Sequence, residues 1–137
     1  MFRRRQWQPP HTLADSDLGV ALPAPELREL ERQSTRVDVR AGQSLIREGA
    51  AGHQCLVVID GSLAVQRRGD LVATLGPGGV AGEIGLLTRR PCTADVYTTD
   101  DTAAYVMNRR EFRTVLDRCP NLAHHVVATA LERSLAA

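Results

Sequence analysis

One segment of the chain departs from ordinary packing logic. It is Gly82-Glu83-Ile84-Gly85-Leu86-Leu87, followed by Arg89-Arg90-Pro91-Cys92-Thr93-Ala94. Glycines at 82 and 85 let another group approach the backbone closely. A helical turn starting near Glu83 would leave its first N–H groups without intrahelical partners. Such groups form an anion site, most simply for a phosphate. A purely structural glycine turn between strands accounts for the same residues, so pattern alone leaves both readings open.

Other chemistry is thinly represented. Cys55, Cys92 and Cys119 are an odd set at irregular spacing, with no CxxC pair to suggest a zinc site or a redox dithiol. His124 and His125 are adjacent on an expected helix, point to different sides, and suit no metal. Asp100-Asp101 reads as a polar turn. There is no Ser/His/Asp-like arrangement and no catalytic glycine loop, so no enzyme is expected.

Composition narrows the classes further. The 137 residues are 43% hydrophobic and 24% charged, with a net charge of +1, which fits one folded domain and excludes a wholly disordered chain. The balanced charge argues against a dedicated nucleic-acid binder. No apolar run is long enough to span a membrane. All 17 basic residues are Arg, a bias of the kind a GC-rich genome produces. The start, MFRRRQWQPP, has charge but no following apolar run, so no secretory signal is read. Together with unpaired cysteines this points to a cytoplasmic setting.

The surrounding elements follow from periodicity. Residues 1–16 read as a flexible tail, with Arg3, Arg4 and Arg5 as a solvated or partner-touching basic arm and 17–137 as the domain. Residues 17–33 carry a helical signal, with Pro25 in its first turn and Leu27 and Leu30 on one face. Short strands are expected around 37–40, 44–47, 55–59, 62–66 and 71–75. The continuous run Cys55 to Ile59 marks a buried strand, and Asp60-Gly61 a hairpin. Gly76-Pro77-Gly78-Gly79 is a strong break. Residues 80–91 read as a loop with a helical turn, then strands at 93–98 and 103–107, then helical stretches at 110–118 and 122–135. The order is helix, six to eight strands, helices: a mainly β barrel or jelly roll flanked by helices.

Three motifs together carry a resemblance. They are Ala41-Gly42-Gln43-Ser44-Leu45-Ile46-Arg47-Glu48-Gly49, the hairpin from Gly52 through Gly61-Ser62-Leu63, and Leu75-Gly76-Pro77-Gly78-Gly79-Val80-Ala81-Gly82-Glu83. With them, residues 18–135 resemble the cyclic-nucleotide-binding domain family of bacterial cAMP-receptor-type regulators and kinase regulatory subunits. The resemblance implies an eight-stranded jelly-roll β-barrel with an N-terminal helical segment and two C-terminal helices. It implies that Glu83, after Gly82, accepts a hydrogen bond from a ribose 2′-hydroxyl. Ile84 and Gly85 would offer backbone N–H groups to the cyclic phosphate, and Thr93, beside Ala94, a hydroxyl and backbone contact. The last helix would close over the purine with Val126, Val127 and Ala130 as a lid and Thr129 at the base edge. The implied ligand is cAMP or cGMP, with no metal or other cofactor. A protein effector, or a second copy joined through the C-terminal helix, would read occupancy. No helix-turn-helix follows residue 135, so the expectation is a stand-alone bacterial regulatory domain that binds no nucleic acid.

The match fails at one place. Where the family cassette carries a phosphate-neutralising arginine, two residues before Ala94, this chain has Cys92 in a loop of unchanged length. A charge-assisted hydrogen bond contributes roughly 1.5–3 kcal/mol, so its loss should weaken binding by roughly two orders of magnitude. Three outcomes are open. Arg89 or Arg90 reaches in from the loop and binding survives weakly; the fold persists as a degenerate interaction module without nucleotide; or Cys92, near helix-terminal N–H groups and arginines, acts as a thiol sensor of lowered pKa.

Overall fold

The computed structural model of the protein describes residues 13–135. Eight strands run in chain order: β1 (Thr35–Val39), β2 (Ser44–Ile46), β3 (Gln54–Asp60), β4 (Leu63–Arg67), β5 (Asp70–Leu75), β6 (Val80–Ala81), β7 (Asp95–Thr98) and β8 (Thr102–Asn108). They form two four-stranded antiparallel sheets, ordered β1-β8-β3-β6 and β2-β7-β4-β5. Five helices accompany them: α1 (Asp17–Ala21), α2 (Ala24–Gln33), α3 (Glu83–Thr88), α4 (Arg109–Arg118) and α5 (Pro120–Leu135). This is the expected jelly roll with helices before and after it.

The apolar run of β3 is explained by two cores. Cys55, Val57 and Ile59 face the helices, joining Leu18, Leu30, Phe112, Val115 and Leu122. Leu56 and Val58 face the second sheet, joining Leu63, Val65, Ala81 and Val96 between the sheets. A strand covered on both faces shows no polar alternation.

Three local expectations change. Leu13 to Asp15 form a 3-10 turn, and Leu13 and Ser16 are buried, so the inner end of the tail expected over 1–16 is folded onto the core. Ser16 caps α1, its hydroxyl accepting the Gly19 N–H at 3.1 Å. The remaining residues of that expected tail, with its arginines and Trp7, lie outside the described residues. The helix expected over 17–33 is two helices, because Pro23 pushes Leu22 into extended backbone and then caps α2. Pro120 ends the preceding helical stretch as expected and also opens α5, since a helix's first turn needs no N–H there.

Two buried carboxylates tie the N-terminal helices to the C-terminal ones. Glu26 of α2 accepts the Leu122 N–H at 2.9 Å and the Asn121 side-chain amide at 2.5 Å, so it holds the start of α5. Glu29 takes Arg118 of α4 at 2.9 Å and Arg32 at 2.7 Å. Hydrogen bonds from Gln33 and Arg118 hold the Glu29 carboxyl below the usual carboxylate range.

Candidate ligand-binding site

The site is built where β6 hands over to α3. Gly82 stands between them at φ +86°, a left-handed conformation, and a Cβ there would collide with the Gln54 carbonyl oxygen. Glycine is therefore required to turn the chain from strand into helix under β3. α3 then lies against the loop before β3, where a Cβ on Gly52 would stand 3.1 Å from Gly85 Cα. Arg109, at the start of α4, clamps this contact by donating to the carbonyls of Leu86 and Gly52 at 3.1 and 3.2 Å. The helical turn expected around Glu83 is thus a six-residue helix with its N-terminal N–H groups at Glu83, Ile84 and Gly85.

Above this corner is a pocket of about 420 Å³, counting its open mouth. Gly82, Glu83, Ile84, Gly85, Cys92, Thr93 and Ala94 all line it, so these seven residues of the segment converge there. Ile46, Val65 and Val96 of the second sheet supply its apolar wall.

Glu83 is the most unusual group. Its side chain is fully buried, and one oxygen, Oε1, takes Arg133 of α5 at 2.6 Å. The other, Oε2, has no hydrogen-bond partner among the described residues. Burial pushes the Glu83 carboxyl up, and the charge of Arg133 opposes it. A buried acceptor without a donor is costly and calls for an explanation. A ligand hydroxyl reaching into the pocket would supply the donor.

Position 92 is held from both sides. The Cys92 N–H donates to the Ala50 carbonyl and its carbonyl accepts from the Gly49 N–H, each at 2.8 Å. Its sulfur lies beside Gly85. Burial pushes the Cys92 thiol up, which opposes the lowered pKa that a thiol sensor needs. Burial pushes Cys55 and Cys119 up as well.

The expected compensating charges do not line the pocket. Arg89 caps α3 in a left-handed conformation, and both it and Arg90 are exposed. Two other cations do line it: Arg133, already described, and Arg67 at the end of β4, whose Nε donates to the Thr93 carbonyl at 3.2 Å. Neither was apparent in the sequence. Arg67 shares the inward face of Leu63 and Val65 by strand periodicity, and pairing of Gln66 with Asp95 brings it to the 93–94 corner. Arg133 sits beyond the apolar positions of α5, where an arginine reads as solvated.

The proposed lid residues lie elsewhere on α5. Val126 is buried in the helix-side core, Val127 is exposed, Thr129 donates to the His125 carbonyl at 2.9 Å, and Ala130 is half-buried. None of the four lines the pocket in this arrangement. Among the described residues no cluster of His, Cys, Asp and Glu could hold a metal ion, and no helix is long and apolar enough to cross a membrane.

Known proteins are similar in sequence and in fold. The chain is 33% identical over 103 residues to the cGMP-dependent protein kinase egl-4 of Caenorhabditis elegans, covering 75% of this chain and 13% of the kinase. Its fold superposes on the catabolite activator protein of Thermus thermophilus with a TM-score of 0.74 and 26% identity, over 88% of this chain and 58% of that one. A protein from a bacterial cyclic-GMP-dependent signalling pathway that regulates phytopathogenesis gives a TM-score of 0.70 and 28% identity, over 83% and 94% of the two chains. The chain thus spans only a small part of the curated kinase it matches. A family model, the cyclic nucleotide-binding domain, matches residues 36–119. That match covers more than half of the sequence and includes the whole pocket corner from Gly82 to Ala94, so the chain belongs to the cyclic nucleotide-binding domain family, a family of regulatory binding domains.

Proposed function

We propose that this chain binds cAMP or cGMP in the pocket between β6, α3 and the second sheet, and that α5 reports occupancy to a protein effector or to a second copy. The observation that carries the reading is Glu83 Oε2, a fully buried acceptor with no donor among the described residues, on the pocket wall. A ribose 2′-hydroxyl satisfies it. The N–H groups of Ile84 and Gly85 meet the cyclic phosphate, and Thr93 stands at the same edge. α5 is suited to the readout because its start is held by Glu26 and its far end by Glu83 through Arg133. Affinity is lowered relative to a pocket with arginine at position 92, because a neutral thiol cannot pair with a phosphate. The setting is a cytoplasm in which the three thiols stay free.

A second reading has its own support. Cys92 is a neutral thiol, and Arg89 and Arg90 turn away, which fits a degenerate interaction module of the same fold. Thermal unfolding with cAMP or cGMP at millimolar concentration separates the two. The binding reading expects a melting shift in the native chain that Glu83→Ala abolishes. No shift with either nucleotide would favour the interaction module.

A further inference from the structure

We propose that Arg67 supplies the phosphate-binding charge that position 92 lacks, an inference that rests on the nucleotide reading above. The argument begins with charge inside the pocket. Of the two cations lining it, Arg133 is engaged with Glu83 at 2.6 Å, so that pair is close to neutral. Arg67 makes no ion pair among the described residues. Its recorded bond is neutral, Nε to the Thr93 carbonyl at 3.2 Å. That bond leaves the two terminal nitrogens of the guanidinium with no partner among the described residues, beside the residue that follows Cys92.

Strand geometry makes this placement a property of the fold. Alternation puts Arg67 on the face of Leu63 and Val65, which otherwise fills the space between the sheets with apolar side chains. An arginine on an inward face at the open end of a barrel retains solvent access and projects charge into the mouth. Arg67 is half-buried, so its field is screened less than that of the exposed Arg89 and Arg90. The site therefore offers a hydroxyl acceptor at Glu83 and, beside Thr93 in the same pocket, a guanidinium with no ion-pair partner among the described residues. A ligand that carries a hydroxyl and a single phosphodiester charge matches this pair of groups. The same guanidinium serves in place of one at position 92, reaching the anion from β4 instead of from the loop.

The test is a calorimetric titration of cAMP and cGMP into the native chain, Arg67→Gln, Arg67→Lys, Cys92→Arg and the double variant Cys92→Arg/Arg67→Gln, with unfolding curves to verify that each is folded. Loss of the charge should weaken nucleotide binding at least tenfold in Arg67→Gln. Arg67→Lys should keep most of the affinity, because it keeps the charge while losing the Nε donor to Thr93. In the Cys92→Arg background the same Arg67→Gln change should cost little, since a guanidinium is again present. Native-like binding by Arg67→Gln overturns the proposal and leaves the nucleotide reading intact. Equal losses in Arg67→Gln and Arg67→Lys also overturn it, making Arg67 an anchor for the loop. Absence of binding by the native chain overturns the nucleotide reading and this proposal with it.

Discussion

The two oxygens of Glu83 have different surroundings, and that asymmetry sets the behaviour of the pocket at the scale of single residues. Oε1 is matched by Arg133, whereas Oε2 waits for a donor. Because burial raises the folded-state pKa of Glu83, this group favours folding most below its unfolded value of about 4.3, and that contribution is lost as pH rises through the folded pKa. Arg133 limits the loss. Arg133→Gln should therefore be destabilised increasingly as pH rises from about 4 to 7, and the gap in melting temperature between native and variant should widen over that range. A pH-independent gap would contradict the ion pair. At position 92, Cys92→Arg should tighten nucleotide binding, by less than the roughly 1.5–3 kcal/mol of a full charge-assisted hydrogen bond where Arg67 already meets the phosphate, as read by calorimetry. The departure expected at Cys92 rests on the resemblance and on a loop read as unchanged in length. The place of Arg67 beside Thr93 was not legible, because it depends on which residues of β4 and β7 face each other, and register is set by long-range pairing.

Helices and strands position those residues through contacts with little tolerance. Gly82→Ala should destabilise the protein by more than the about 1–3 kcal/mol typical of a strained backbone conformation, since the added Cβ also meets the Gln54 carbonyl. Urea unfolding measures this directly, and a neutral result would mean that α3 can start elsewhere. Glu26→Ala should cost about 1–2 kcal/mol by leaving the Leu122 N–H and the Asn121 side-chain amide without their acceptor. It should also raise hydrogen exchange in the first turn of α5 more than in α4. The elements themselves were largely readable. β3 announced itself by an unbroken apolar run. Asp60-Gly61 is the turn its residues suggest, with the Gly61 N–H bonded to the Asp60 carboxylate at 2.9 Å, but it is not the expected hairpin: β3 and β4 do not pair, and the turn carries the chain from one sheet to the other. The break at Pro23 was hidden because helical periodicity resumes on both sides of it. Val126 was read as lid because its apolar spacing on α5 is the same whether that face covers a ligand or, as here, the helix-side core. Leu13 was read as tail because a lone leucine among polar residues carries no period, although it is buried against the helices.

Across the whole molecule, the two cores divide the labour. The inter-sheet core holds the pocket wall, and the helix-side core carries α4 and α5 on the other face of the same strand, β3. α5 is attached at its start to α2 and near its end to Glu83, so on the proposed reading a ligand that engages Glu83 or adds contacts at α3 would act on the position of α5. Such a shift requires that the nucleotide bind one position more tightly than the other. Ligand binding to the folded state alone should add about 2.7 kcal/mol of stability at a concentration one hundredfold above Kd, visible as a raised unfolding midpoint. The central claim is that the pocket binds cyclic nucleotide with Glu83 as its anchor. Calorimetric titration of cAMP and cGMP into the native chain and Glu83→Ala tests it most directly. The account predicts saturable heat at one site per chain for the native protein and its loss in Glu83→Ala. Equal binding by both chains, or no heat with either nucleotide in the native chain, would contradict it.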